Sequence, residues 1–139
     1  MKSILVSGYD LADIHGVVVV IAVPLVLHFL SHVVPMTASW GAVGVMWGKP
    51  SATCYIRKSR FTKEFVDAGE YFTLTVLKDG HRDALNKMGS KSGRDMDKMH
   101  ESGLTPVMVE GQPTFEEAKL VLICRKVCKT FIDEVILIG

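Results

Sequence analysis

Tyr71-Phe-Thr-Leu-Thr-Val-Leu77 sets β-branched, aromatic and leucine side chains side by side without a break. Such side chains favour extended backbone, and the two-residue period puts Phe72, Leu74 and Val76 on one face of a strand. Working outward, Ala118 to Arg125 gives a second strand with Ala118, Leu120, Leu122 and Cys124 on one side, and Phe131 to Ile138 resembles a last one. Upstream, Val17 to Val23 reads as a strand ended by Pro24, with another apolar piece before Pro35, and Ala52 to Arg57 alternates as a further strand. Between them lie short helical patterns. Residues 59–68 have a Ser or Thr able to cap the start and Gly69 to end it; residues 81–88 face Ala84, Leu85 and Met88 inward and stop at Gly89. A turn or two over 95–101 closes at Gly103, and Thr105-Pro106 favours extended chain. Residues 36–50, rich in small side chains and carrying Trp40 and Trp47, suit a strand and a loop passing close to something flat. The sum is a mainly β fold with short helices, without the strand–helix alternation of a doubly wound sheet.

The 139 residues fit one domain over 1–139, with no internal repeat or low-complexity linker to divide them. Hydrophobic residues at 48% and charged ones at 22% are ordinary for a globular chain. Sixteen basic against fifteen acidic residues leave a net charge of +1, no broad field for nucleic acid or an anionic membrane, so any anion site is local. Three sparse cysteines, Cys54, Cys124 and Cys128, do not make a disulfide framework and point to reduced thiols in the cytoplasm. The apolar stretch from Gly16 to Pro35 approaches a membrane span in length. Pro24, His28, His32 and the run of four valines favour a buried strand over a membrane or export segment.

Three segments carry chemistry. Arg57-Lys-Ser-Arg-Phe-Thr62, between a strand and a helix start, offers the cations, hydroxyls and amide groups that a phosphate dianion requires; a capped helix with solvated basic residues has the same composition. Gly89-Ser-Lys-Ser-Gly-Arg-Asp95 combines two glycines with several donors, as a ligand loop or an exposed helix-to-helix connection would. Met36-Thr-Ala-Ser-Trp-Gly41 could bond the edge of a heteroaromatic ring or be a core strand with a buried tryptophan. Neither a P-loop nor a Gly-x-Gly-x-x-Gly fingerprint occurs, which disfavours a permanently held dinucleotide in a Rossmann fold. His28 and His32, and the Cys124/Cys128 pair, lack the partners of a metal or redox site.

The order of these segments resembles the flavin reductase-like family of FMN-binding split β-barrels. The resemblance rests on Met36-Thr-Ala-Ser-Trp-Gly-Ala-Val-Gly-Val-Met-Trp-Gly-Lys-Pro50, on Tyr55-x-Arg-x-Ser-Arg-x-Thr-x-x-Phe65, and on Tyr71-Phe-Thr-Leu74. It continues in Ala84-Leu-Asn-x-x-Gly-x-x-Ser-Gly-Arg-Asp-x-Asp-Lys98, Gly103-Leu-Thr-Pro106 and Phe115-Glu-Glu-Ala118. It is strongest over residues 36–128. His32-Val-Val-Pro35 departs from it, since the family has a polar turn there, and the chain after Cys128 reaches its last strand sooner than the family does.

The resemblance implies a Greek-key split barrel, a homodimer, and FMN near the dimer interface. Carried over by position, Arg57, Ser59, Arg60 and Thr62 hold the phosphate, and Thr37, Ala38, Ser39 and Trp40 line the isoalloxazine or ribityl chain. Ser92, Gly93, Arg94 and Asp95 complete the pocket with Ser90 and Lys91, while Cys54, Tyr55 and Ile56 offer backbone contacts. The implied activity is NAD(P)H-dependent flavin reduction: NADH or NADPH binds transiently and passes hydride to the flavin N5, and electrons leave to free flavin, a redox partner protein or another acceptor. No protein acid or base is required, because the flavin carries the redox chemistry. A flavoredoxin-like electron carrier without nicotinamide oxidase activity, and a relative that has lost the flavin, are the alternatives.

Overall fold

The computed structural model describes residues 2–4, 19–24, 33–38 and 41–129. The expected strand over 131–138, His28, His32, Ser39, Trp40 and most of the apolar stretch between residues 24 and 33 lie outside the described residues. In chain order the elements are β1 (Lys2–Ile4), β2 (Val19–Pro24), β3 (Val33–Ala38), β4 (Gly41–Met46), β5 (Lys49–Cys54), α1 (Phe61–Ala68), β6 (Tyr71–Leu77), α2 (Arg82–Ser90), α3 (Lys98–Ser102), β7 (Pro106–Val109), β8 (Gln112–Phe115) and β9 (Ala118–Arg125). Among the described residues the fold is mainly β, with three short helices. Five strands form an antiparallel sheet in the order β1-β9-β6-β2-β3; β4–β5 and β7–β8 are separate two-stranded ribbons, and hydrogen bonds among the described residues do not close the sheets into one barrel.

The central strands β6 and β9 take the extents read from the sequence, because their runs of β-formers are buried on both sides. Phe72 and Leu74 join Leu120, Leu122 and Cys124 in one apolar cluster, covered by Val66 of α1 and by partly buried Val43, Ala52, Cys54 and Ile56. On the opposite face Leu77 packs with Ala84 and Met88 of α2, Leu104 and Phe115. Between these apolar residues the second face carries Thr73 and Thr75, both fully buried. Thr73 Oγ1 donates to the Pro113 carbonyl (2.7 Å), and the Thr75 and Thr114 hydroxyls are 3.0 Å apart, so β8 is fastened to the sheet by hydroxyl hydrogen bonds as well as by the apolar packing of Phe115.

Residues 19–24 of the chain's long apolar stretch form strand β2, as the sequence reading of that part implies. Ile21 and Ala22 are wholly buried in β2, which sits between β6 and β3. Among the described residues no helix is long and apolar enough to cross a membrane. Residues 33–35, where the family pattern has a polar turn, instead pair with β2 up to Pro24↔Val33.

Four local expectations are corrected. The loop expected within 36–50 is the hairpin β4–β5, turned by Trp47 (φ 49°) and Gly48 (φ 70°), the two positive φ values that a two-residue turn of the I′ kind requires. The strand expected over 52–57 is displaced toward the N-terminus by that pairing and ends at Cys54. α1 begins at Phe61 with extended Arg60 at its N-cap and no side chain capping it, so Ser59 does not play that part. α2 runs through Gly89 to Ser90 rather than stopping at the glycine. A Cβ at Gly89 would lie 2.6 Å from Thr37 Oγ1, so this glycine serves the close approach of α2 to β3 and not a helix end.

Candidate functional site

β3 is an edge strand of the five-stranded sheet, and the helices of both faces meet around that edge. α1 comes from the side of the first apolar cluster, and α2 and α3 from the side of the second. Their termini enclose a small cleft of ≈ 70 Å³ lined by Met36, Ser59, Arg60, Phe61, Thr62, Lys91, Ser92, Gly93 and Lys98. Phe61 and Phe65, one turn apart on α1, pack edge to face at 4.9 Å and fix the start of that helix. Gly93 is pressed to the Phe61 ring so closely that a Cβ would come within 3.0 Å of it.

The cleft is cationic. Lys98 is 5% exposed and its Nζ donates to the Met88 carbonyl at 2.7 Å; Arg60 Nη1 donates to the Gly89 carbonyl at 3.4 Å. Burial, and then the charge of nearby Arg60, hold the Lys98 ammonium below the usual lysine range. Among the described residues no carboxylate pairs with either side chain. Two like charges held together in this way, with the positive end of α1 opening on the same space, are a donor set for an anion.

The structure therefore brings Ser59, Arg60, Thr62, Lys91, Ser92 and Gly93 to one cleft. Arg57 is exposed and outside its lining; its carbonyl accepts from the Arg60 amide at 3.0 Å and makes the turn into α1. Ser90 ends α2 on the surface. Arg94 turns away, pairing with Glu64 and lying 4.8 Å over the Phe61 ring. Asp95 is exposed, and its amide donates to the Ser92 carbonyl at 3.2 Å. Thr37 and Ala38 follow Met36 on β3, Thr37 half-buried and Ala38 buried. Cys54 and Ile56 pack against the first apolar cluster and Tyr55 is exposed. Burial pushes the Cys54 thiol up to about 11 and Cys124 to about 12, so neither is a ready thiolate; Cys128 lies past the end of β9 and is exposed.

Lys98, Met36 and Phe61 are the cleft residues that do not figure among the candidates read from the sequence. The signal for Lys98 was present in Asp95-Met-Asp-Lys98, but only α3 reveals it as buried. Asp97 caps α3 by accepting from the Met99 and His100 amides at 3.0 and 3.2 Å, which begins the helix at Lys98 and directs that side chain inward.

Among solved structures the fold is similar to an FMN-binding domain of a flavin reductases-like enzyme from Shewanella baltica, with TM-score 0.73 and 20% identity over 87% of this chain and 65% of that one. It is similar to the flavoredoxin of Desulfovibrio vulgaris (Miyazaki F), with TM-score 0.74 and 21% identity over 94% of this chain and 69% of that one. It is also similar to an NADH:FAD oxidoreductase of Streptomyces globisporus, with TM-score 0.67 and 20% identity over 86% and 67%. The chain thus spans about two-thirds of the length of these proteins. Comparison with curated proteins gives no match. A model of the flavin reductase like domain matches residues 14–139, beyond the 36–128 where the motifs cluster, and the chain belongs to the flavin reductase-like family.

Proposed function

We propose that the chain binds FMN and works as an NAD(P)H-dependent flavin reductase. The observation that carries this reading is the buried Lys98 held beside Arg60 at the cleft, with main-chain carbonyls as their acceptors and no carboxylate among the described residues. An anion of phosphate size fits both the charge and the space. The ≈ 70 Å³ is far below the several hundred Å³ of a whole small-molecule pocket, so the cleft accounts for the phosphate end of a nucleotide. Lys98, Arg60, Ser59, Thr62, Lys91 and Ser92 would hold that end. Thr37 and Ala38 continue along β3 from Met36 and, with Ser39, Trp40 and the segment Cys54-Tyr55-Ile56, would line the ring. Bound FMN supplies the electron and hydride chemistry. The chain's own work is to grip one end, orient the other and leave a face open to NADH or NADPH.

A homodimer is part of the reading. The hairpin β4–β5 leaves Val45 69% and Trp47 91% exposed, an apolar tip that a second copy would cover. The free thiols of Cys54, Cys124 and Cys128 suit the reducing cytoplasm.

The test is to load the purified protein with FMN, add NADH or NADPH without oxygen, and follow flavin bleaching, then to measure steady-state oxidation with excess FMN. Bleaching with turnover supports the reductase. A yellow protein that neither nucleotide bleaches is a flavoredoxin-like carrier, and failure to take up FMN rejects the reading altogether.

A further inference from the structure

Two of the three cations of the cleft, Lys98 and Arg60, are held, among the described residues, by consecutive main-chain carbonyls and not by carboxylates. Lys98 Nζ donates to the Met88 carbonyl at 2.7 Å and Arg60 Nη1 to the Gly89 carbonyl at 3.4 Å. Both carbonyls belong to the last turn of α2, where helix carbonyls lack intrahelical partners and the dipole is negative. One turn of one helix thus aims two side chains from different elements, Arg60 from the N-cap of α1 and Lys98 from the first position of α3. Where that turn sits is set by its contact with β3, and the contact leaves no room for a side chain: a Cβ at Gly89 would stand 2.6 Å from Thr37 Oγ1 and 3.8 Å from Thr37 Cβ. Gly89 has no turn to make, since α2 continues through it.

We propose that Gly89 is a positioning residue of the anion cleft: by lying bare against Thr37 it sets the Met88 and Gly89 carbonyls where they hold Lys98 and Arg60 toward a bound phosphate. The inference rests on the FMN reading above. Any side chain at position 89 would lift the end of α2 from β3, moving both carbonyls, and the two cations with them, relative to Ser59 and Thr62 across the cleft. Ligands that possess a phosphate would feel this; ligands that lack one would not.

The experiment compares Gly89→Ala with the unsubstituted chain for equilibrium binding of FMN and of riboflavin, by quenching of flavin fluorescence, and for competition by inorganic phosphate. Gly89→Ala should lose about tenfold or more in FMN affinity, change riboflavin affinity less than about twofold, and abolish competition by phosphate. Replacing Thr37 by Ala in the same chain removes the opposing Oγ1 and should restore most of the preference for FMN over riboflavin. Thr37 itself is a candidate ring contact, but any loss of that contact weakens both flavins alike and leaves their ratio unchanged. Should Gly89→Ala fail to fold, as judged by circular dichroism, the Thr37→Ala/Gly89→Ala chain decides: a folded protein without the FMN preference overturns the proposal. It is equally overturned if Gly89→Ala keeps the preference, or loses both flavins by the same factor as a merely structural glycine would. If the unsubstituted chain itself binds FMN no better than riboflavin, the phosphate reading of the cleft fails, a result distinct from failure of the role of Gly89.

Discussion

Replacing Lys98 by Met keeps the length of the buried stem and deletes the charge. The ammonium has three protons to donate, of which one goes to the Met88 carbonyl at 2.7 Å, so two remain for a ligand in the cleft. At 5% exposure little water screens the interaction. A charge-assisted hydrogen bond of this kind contributes about 1.5–3 kcal/mol, which is about 10- to 150-fold in Kd. Lys98→Met should weaken FMN binding by that factor and leave riboflavin binding nearly unchanged, measured by isothermal titration calorimetry at fixed ionic strength. The free protein should lose little. The substitution sacrifices one charge-assisted hydrogen bond, about 1.5–3 kcal/mol, but also removes a buried cation set beside Arg60, and the two effects oppose each other. Their balance also has a sign in pH. Burial first, and the Arg60 charge second, hold the folded-state ionisation of Lys98 below its ordinary value of 10.5. The unfolded chain therefore binds the proton more tightly, and stability contributed by this group is present above pH 10.5 and lost as pH falls through the folded value. Urea unfolding of the free protein should show the unsubstituted chain gaining on Lys98→Met as pH rises from about 7 toward the lysine range. Equal loss of FMN and riboflavin affinity, or none of either, would refute the assignment of Lys98 to a phosphate.

Thr73→Val should destabilise the fold by about 1–3 kcal/mol, because the Pro113 carbonyl loses its buried donor and gains nothing; chemical denaturation with an unchanged m-value checks it, and a loss below about 0.5 kcal/mol contradicts the hydroxyl fastening of β8. Trp47→Asn puts a residue tolerant of positive φ where Trp47 has φ 49°, so monomer stability should hold or rise by about 1 kcal/mol. The same substitution removes the largest exposed apolar side chain of the hairpin tip, so if the chain dimerises through this tip, as proposed, sedimentation should show a weaker dimer; a dimer of unaltered strength would refute that interface. A thiol-specific alkylating reagent at neutral pH should label Cys128 in the native protein and all three cysteines after denaturation, counted by mass spectrometry, since burial raises Cys54 to about 11 and Cys124 to about 12. Native labelling of Cys54 at the rate of Cys128 would contradict its packing in the core.

Much of this protein is decided locally and is legible in the chain. The bounds of β6 and β9 follow from unbroken β-forming runs, and the end of α3 follows from Gly103, whose φ of 69° is the left-handed cap its position predicts. The ordered motifs around Ser59, Arg60, Thr62, Ser92 and Gly93 carry the family, and those residues meet at the cleft. The hairpin β7–β8 is not among the elements read from the sequence: its two-residue turn Glu110-Gly111 has φ of 48° and 76°, but the residues around it do not alternate well enough to be read as strands.

What the chain alone withheld are the facts that depend on which elements touch. Thr73 and Thr75 fall opposite Phe72, Leu74 and Val76 in the two-residue period and are wholly buried, because β8 brings carbonyl and hydroxyl partners to them from about forty residues away. Gly89 reads as a helix end and is instead a contact surface for Thr37. Arg94 and Lys98 show the same limit: both are cations near the glycine loop, yet a carboxylate on α1 draws Arg94 outward while the carbonyls at the end of α2 draw Lys98 inward. Local sequence fixes backbone preference and side-chain chemistry, whereas the direction a charge takes is set by partners that only the packing of distant segments supplies.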